Sequence, residues 1–423
     1  MTNPPATPIE QSLDQHLDAP RTFLTDAAES AGCSLSDGLG RRLSAPQHSQ
    51  RVALEFERDD GSHAIVDGFR VRHDDARGPF LGPHRRQAGL TADDCAGLAT
   101  AQTVAAAIAD VPFGGAAGGI AVDPSTLSRD DRDRLTRQFA ERIDGIGPDD
   151  DVLAAGVGTD GRTMAQVADA VADRVDGPHR ATVTGKPPAV GGLEGITHAA
   201  GHSVALVAQD VLEEDCGRSL TDATIAVAGC GPAATTAARL LEVQGGTVVA
   251  WCSCHGGLTS ADGLDVDAAA DALDQPGELT AADGTMAGTE NVLERDVDVL
   301  VLASPDVPLT ARRAKTVGAS LVVEATYGAV TPDGQRQLDS RPATVVPDVL
   351  ATAGSVVAAH LEWVQSTGRD RWGEARMRNE LGYALLEAVD DVRERRDHDD
   401  LTWREAAYAL ALDRIDDAHE VIR

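Results

Sequence analysis

Lysine is almost missing from this chain of 423 residues: Lys186 and Lys315 are the only two, and the first 185 residues hold none. In that stretch no side-chain amine is available as a point-charge clamp, a neutral base or a Schiff-base former. Basic charge of any kind is scarce, with 37 Lys and Arg against 68 Asp and Glu and a formal charge of -31. A surface of that sign repels nucleic acid and anionic lipid, which excludes both as partners. There are six cysteines, Cys33, Cys95, Cys216, Cys230, Cys252 and Cys254, scattered and with no leader segment before them. That usage points to a reduced, cytoplasmic chain. Cys252-Ser-Cys254-His255 lacks the second ligand pair of a zinc site, so no metal is expected. No run of 18 apolar residues occurs, so no segment spans a membrane.

What is present supports a folded protein. Apolar residues make up 42% of the chain, enough for a core, and the length suits two domains. Apart from the two lysines, every one of the 37 basic residues is arginine. Self-repulsion at this charge opposes a compact state in dilute buffer and fades in molar salt, where the screening length is roughly 3 Å. The composition therefore fits a salt-loaded cytoplasm.

Residues 1–20, rich in Pro, Thr and Asp, are expected to begin loosely ordered. Alternation predicts strands over 51–56 and 64–71. Thr91 is placed to cap a helix over 91–110, and Leu127, Leu135, Phe139 and Ile143 recur at helical spacing over 126–143. Further on, short apolar strands are predicted at 224–228, 247–252, 297–302, 320–324 and 343–346, with a helix over 235–243. Strands alternating with helices imply a parallel sheet covered on both faces. The last 70 residues read as helical, with Met377, Leu381, Leu385 and Ala388 on one face.

Between the first of those buried strands and its helix lies Gly229-Cys230-Gly231-Pro232-Ala233-Ala234. In this setting the first glycine permits a tight turn, the second lets a pyrophosphate approach the backbone, and the small third residue lets helix and strand pack. Phosphate would rest on the helix N-terminus. Pro232 removes one N–H that would face it. The next strand ends Cys252-Ser253-Cys254-His255, without the acid that holds ribose hydroxyls, so NAD, NADP and no nucleotide all stay open.

Val111-Pro-Phe-Gly-Gly-Ala-Ala-Gly-Gly-Ile-Ala-Val-Asp-Pro124 resembles the signature of the glutamate/leucine/phenylalanine/valine dehydrogenases. Other ordered matches are Gly78-Pro-Phe-Leu-Gly82, Val157 to Met164, Val183-Thr-Gly-Lys-Pro187 with Gly191-Gly192, Asp262-Gly-Leu-Asp265, Pro347 to Gly354, Glu362-Trp-Val-Gln365 and Thr402 to Ala407. They cover some 340 residues. The resemblance is nearest to glutamate dehydrogenases. It implies a hexamer or similar oligomer of two-domain α/β subunits. Residues 1–205, completed by 350–423, would form the substrate and assembly domain, and 206–349 a Rossmann-like NAD(P)-binding domain. It further implies that Gly229 to Ala234, Ser253 and Thr352 hold the cofactor.

The same resemblance exposes what has been replaced. The family's lysine in the Gly-Pro-Phe loop is Leu81, followed by Gly82 and then Pro83 in place of glycine. Its second lysine is Ala105, and the catalytic lysine of the signature is Ala117. The catalytic aspartate is Gly156. The asparagine near 352 is Thr352, the serine beyond it Ala359, and a threonine is Ala200. Arg85 stands where the family keeps an arginine. In the family, two lysines clamp the substrate carboxylate, a third activates water, and the aspartate carries protons. No catalytic residue is retained by this comparison. The expectation is a catalytically impaired relative: a regulatory or structural subunit, or a nucleotide sensor, homo-oligomeric or mixed with an active paralogue. The alternatives are an active NAD(P)-dependent dehydrogenase of glutamate or another amino or oxo acid, and a plain dinucleotide-binding module. His84, His198 and His202 are the candidate replacement acid–base groups.

Overall fold

The computed structural model describes residues 19–30, 39–58, 61–274, 284–368 and 370–422. Cys33 and residues 1–18, about which the sequence raised expectations, lie outside them. The described residues form two compact α/β units. One is Gly32–Ile196 with Val356–Glu380 and Leu410–Arg423. The other is Thr197–Ser355 with Met1–Ala31 and Leu381–Ala409. The sequence reading assigned 1–205 and 350–423 to the first domain, whereas 19–30, 197–205, 350–355 and 381–409 cluster with the second unit.

The first unit is built on a six-stranded sheet of β1 (His48–Glu57), β2 (His63–Asp74), β3 (Phe80–Arg86), β4 (Gly114–Ile120), β5 (Asp151–Ala155) and β6 (Val183–Thr184), in the order β1-β2-β4-β3-β5-β6. β1, β2 and β4 pair antiparallel, while β3 runs parallel to both β4 and β5. The two expected N-terminal strands are β1 and β2. The expected helices form as Ala92–Ile108 and Arg129–Arg142. The first opens on the predicted cap: the Thr91 hydroxyl oxygen accepts the Asp94 amide at 3.1 Å, and the Asp94 carboxylate accepts the Thr91 amide at 2.8 Å. Leu135 and Phe139 of the second helix, Met164 and Val167 of the helix Gly161–Val171, and Leu153 of β5 close one core over the sheet.

β4 was not anticipated, and its sequence Gly-Gly-Ala-Ala-Gly-Gly-Ile explains why. It has no alternation to read. The glycines are required by close approach: a Cβ at Gly115 would fall 2.2 Å from Thr103 Oγ1 and 2.4 Å from the Ala99 carbonyl oxygen of the helix Ala92–Ile108.

The second unit is the predicted alternation of strands and helices. β7 (Thr224–Ala228), β8 (Thr247–Ser253), β11 (Val297–Leu302), β12 (Ala319–Glu324) and β13 (Thr344–Val346) are parallel, and β9 (Gly256–Thr259) and β10 (Thr285–Ala287) add an antiparallel edge. The order is β10-β9-β8-β7-β11-β12-β13. Its parallel strands are apolar on both faces, as sheets covered on both sides are. This is a Rossmann-like fold. The last 70 residues supply the helices Ala353–Gly368, Glu374–Asp399 and Trp403–Ile422, and Met377, Leu381, Leu385 and Ala388 are buried as expected. No described helix is long and apolar enough to cross a membrane.

Candidate functional site

Side-chain alternation decides which groups of the first unit can work together. On β3, His84 and Arg86 face the helices on one side of the sheet. The His84 ring lies 4.3 Å from that of Phe139, and Arg86 donates to Thr163 Oγ1 at 3.3 Å and to Thr136. Leu81, Pro83 and Arg85 therefore face the other way, toward the helix Ala92–Ile108. Leu81 pairs in register with Gly115 and Arg85 with Gly119, so Ala117 between them shares that face. Leu81, Ala117 and, on the helix, Ala105 are fully buried. Three positions where a cation was looked for are thus packed apolar side chains.

Gly156 follows β5. Its amide donates to Thr159 Oγ1 at 2.8 Å, and the Arg86 amide donates to the Val157 carbonyl at 2.9 Å, so the loop is stitched to the end of β3. A Cβ at Gly156 would lie 2.9 Å from the His84 carbonyl oxygen, 3.0 Å from Pro83 Cβ and 3.2 Å from Arg85 Cγ. A side chain at 156 would be crowded at its first carbon, in part by the proline at 83.

Buried Arg70 holds the middle of β3. It donates to the carbonyls of Gly82 and Pro83 at 3.3 and 3.2 Å and pairs with Asp151 at 2.5 Å, which Arg72 also meets at 2.7 Å. Two guanidiniums on one carboxylate leave net positive charge beside His84. Burial first, then Arg86 and Arg70, push the His84 imidazole well below its usual range. It is a neutral core side chain with neither ring nitrogen hydrogen-bonded, and it faces away from Leu81 and Ala117. His84 is therefore no substitute base for that face. Arg85 is buried and donates to Gln87 Oε1 at 3.3 Å. A guanidinium cannot serve as a neutral base there.

Ala359 is buried on the helix Ala353–Gly368. Beside it, His360 and Trp363 hold Phe113, the residue leading into β4, with ring centroids 5.8 and 5.4 Å away. Burial lowers the His360 pKa. Sequence reasoning missed this histidine, since one imidazole on an apolar helix gives no signal. It also missed the buried pair of Lys186 and Glu362, whose Nζ and Oε1 are 2.6 Å apart. Glu362 accepts the amides of Gly185 at 3.0 Å and Leu193 at 3.3 Å as well.

In the second unit the glycine loop has the expected geometry. Gly229 (φ 127°) donates to the Cys252 carbonyl at 2.7 Å and accepts Trp251 Nε1 at 2.6 Å. A Cβ there would sit 2.6 Å from the Ala303 carbonyl, so only glycine fits. Gly231 caps the helix Pro232–Val243, and its missing Cβ would meet nothing within 4 Å. Pro232 occupies the first helical turn, where its lost N–H has no intrahelical use. Ala234 is buried in the packing, while Cys230 and Ala233 are half-buried.

Ser253 and Thr352 are engaged locally. Ser253 Oγ accepts the His255 amide at 3.2 Å in the turn joining β8 and β9, and Cys254 is exposed at its tip. The Thr352 hydroxyl donates to the Asp348 carbonyl at 2.7 Å. Ala200 is half-buried on the helix Ala199–Glu214. His198 Nδ1 lies 3.3 Å from Thr236 Oγ1, and His202 Nδ1 lies 3.1 Å from the His198 carbonyl oxygen. Both belong to this second unit, and among the described residues no cluster of His, Cys, Asp and Glu has the makings of a metal site.

Residues 191–422 match the model of the Glutamate/Leucine/Phenylalanine/Valine dehydrogenase family, and 46–173 match that of the Glu/Leu/Phe/Val dehydrogenase dimerisation domain. The chain is 40% identical to glutamate dehydrogenase B of Halobacterium salinarum, covering 99% of this chain and 98% of that one. It is 39% identical to NAD-specific glutamate dehydrogenase A of the same organism, covering 91% and 89%. Among solved structures it is similar to the hetero-hexameric glutamate dehydrogenase of Thermus thermophilus in its Leu-bound form. There the TM-score is 0.88 and the identity 35%, with 100% of this chain and 99% of that one covered.

Proposed function

The chain belongs to the Glu/Leu/Phe/Val dehydrogenase family, and within it we propose a catalytically impaired subunit that regulates or completes an oligomer, alone or mixed with an active paralogue. One observation carries the reading. Leu81, Ala105 and Ala117 are buried apolar residues, and Gly156 has no side chain, with Pro83 and Arg85 in close contact with the place its Cβ would take. Oxidative deamination needs donors on the substrate carboxylate, a group that activates water and a proton carrier. None of these four positions can donate or carry a proton. One lost general acid or base lowers the rate by about 10²–10⁴, and removing several from one site leaves nothing for the others to act with.

A dinucleotide fits the second unit. The open space at Gly231 and the amides opening the helix Pro232–Val243 would receive its pyrophosphate. When bound, the nicotinamide supplies hydride acceptance. The residues of this chain would only bind and orient it. No carboxylate closes β8, so either NAD or NADP is accommodated. The acidic composition supports a cytoplasm rich in salt.

Mixed assembly is supported by the family's dimerisation domain and by the similar hetero-hexamer. Co-expression with an active glutamate dehydrogenase of the same cell tests it. Native mass measurement is expected to find both chains in one hexamer, and the partner's activity or its response to amino acids to differ from that of the partner alone. Separate homo-oligomers with unchanged partner kinetics would contradict it. The competing reading, an active glutamate dehydrogenase, draws on the 40% identity to glutamate dehydrogenase B.

A further inference from the structure

The second unit holds a cluster of buried charge that the function proposed above does not use. Glu324 ends β12, Asp348 opens the short helix after β13, and Arg404 and Tyr408 come from the helix Trp403–Ile422. All four are buried. Arg404 donates to Glu324 Oε1, to Asp348 Oδ1 at 3.4 Å and to Gln335 Oε1 at 2.9 Å, and its guanidinium lies 4.1 Å from the centre of the Phe23 ring. Two carboxyl groups thus share one guanidinium away from water. Ionised together, they would leave a negative charge uncompensated in the core.

The two carboxyls are not equivalent. Asp348 accepts the amides of Gly328 at 3.0 Å and Val349 at 2.8 Å, whereas Glu324 accepts that of Val330 at 3.2 Å. The charge is better held on Asp348, which leaves the proton for Glu324. Burial pushes the Glu324 carboxyl up to about 8, with Arg404 opposing the rise and Asp348 adding to it. Burial, then Asp348, hold the Tyr408 hydroxyl well above 10, so it stays neutral; Tyr327 also acts on it. Asp339 and Glu405 line a cavity beside Arg404.

Both carboxyls hold one loop, residues 325–330, through the amides of Gly328 and Val330. Glu324 is in register with Leu302 of β11, and Leu302 with Ala228 of β7, the residue before the glycine loop. Ala303, which follows Leu302, is the residue crowding the missing β-carbon of Gly229. The loop therefore stands two strands from the glycine loop, on the edge where open α/β sheets take their ligands.

We propose that Glu324 is a positioning residue whose carboxyl carries a proton in the working protein, and that this proton keeps the 325–330 loop in the shape that receives a nucleotide, so that nucleotide affinity falls in alkaline medium. Once the proton leaves, Arg404 serves two charges, and the groups that hold Gly328 and Val330 repel each other. The nucleotide half rests on the dinucleotide reading above; the proton on Glu324 does not.

Two measurements on the full chain, in salt that keeps it folded, test this. The first is fluorescence titration with NADH and NADPH from pH 7 to 9.5, above the range in which phosphate changes charge. Affinity of the parent should fall on the order of tenfold across that range. Glu324→Gln, neutral and of the same shape, should show no fall. Asp348→Asn leaves Arg404 a single carboxylate, so its fall should move to lower pH. The second is denaturant unfolding of parent and Glu324→Gln. A carboxyl raised in the fold binds a proton that the unfolded chain has released, so its contribution is complete at low pH and is lost as the pH rises to the folded value. The folding constant of the parent relative to Glu324→Gln should therefore drop about tenfold per pH unit between pH 6 and 7.5 and level off above about 8.5. Should Glu324→Gln not fold, Asp348→Asn takes its place in both measurements, with the drop displaced to lower pH. A relative stability that ignores pH would overturn the proton on Glu324. Level affinity in the parent, or a fall that Glu324→Gln shares, would overturn the loop's dependence on it. Failure of both cofactors to bind at any pH would overturn the dinucleotide reading and the loop's role with it, while unfolding still decides the proton.

Discussion

Pro83 and Gly156 share one space: a β-carbon at position 156 would stand 3.0 Å from Pro83 Cβ, with the His84 carbonyl oxygen 2.9 Å away on another side. Gly156→Asp alone should therefore destabilise the protein by about 1–3 kcal/mol, the usual range for overpacking. In a Pro83→Gly background the same substitution should cost less, because one of the crowding atoms is gone. Denaturant titration of the four proteins of this cycle measures the coupling. Simple additivity would mean that the two positions do not compete for room.

The two glycines of the nucleotide loop should separate folding from binding. Gly229→Ala puts a methyl 2.6 Å from the Ala303 carbonyl at a φ of 127°, so a loss of at least about 1–3 kcal/mol is expected. Gly231→Ala adds its methyl to open space. It should melt like the parent yet bind NAD or NADP several-fold more weakly, because the methyl occupies the approach of the pyrophosphate. Thermal melts and fluorescence titration with NADH and NADPH check both. Unchanged nucleotide affinity in Gly231→Ala would place the nucleotide elsewhere.

His84 should make the first unit sensitive to mild acid. Burial, then Arg86 and Arg70, hold its folded-state pKa well below the ordinary histidine value of 6.5. The unfolded chain therefore binds a proton as the pH falls through that value and the folded chain does not, so this histidine's contribution is complete above it and declines below it. His84→Phe should remove that portion of the pH dependence. The comparison is the difference in unfolding free energy between parent and variant at pH 7.5 and at pH 5.5, which should shift in favour of the variant at the lower pH. A difference that does not change with pH would show that His84 takes up its proton as readily in the fold as in the unfolded chain.

Stability should also rise with salt. A net charge of -31 is held compact against its own repulsion, and screening at molar salt weakens that repulsion. The melting temperature in 2 M KCl should exceed that in 0.1 M KCl by several degrees. Equal melting in both would remove the case for a salt-rich cytoplasm.

The second unit was the more legible of the two. Its strands are runs such as Val297–Leu302, mostly buried and bounded by Arg295-Asp296 and Ser304-Pro305, and their order along the chain follows from the alternation. In the first unit, β3 and β4 carry the replaced positions but contain Gly82, Pro83 and four glycines of the signature, so periodicity could not find them. Only the resemblance drew attention there. Which face each residue takes followed from alternation once the strands were known. The contacts that lock the site were out of reach: Arg70 meets Asp151 and Lys186 meets Glu362 far along the chain, and nothing local announces either partner. The crowding of Gly156 by Pro83 was equally hidden, although both substitutions were visible one by one.

The central claim is that the face formed by Leu81, Ala117 and Gly156 has no chemistry left for deaminating an α-amino acid. The direct measurement is NADH and NADPH formation from glutamate by protein purified from a host lacking any other glutamate dehydrogenase, in salt that keeps it folded. The account predicts no glutamate-dependent signal above the enzyme-free rate with either cofactor. Turnover at the ordinary enzyme rate of about 1–10³ per second from that preparation would contradict it.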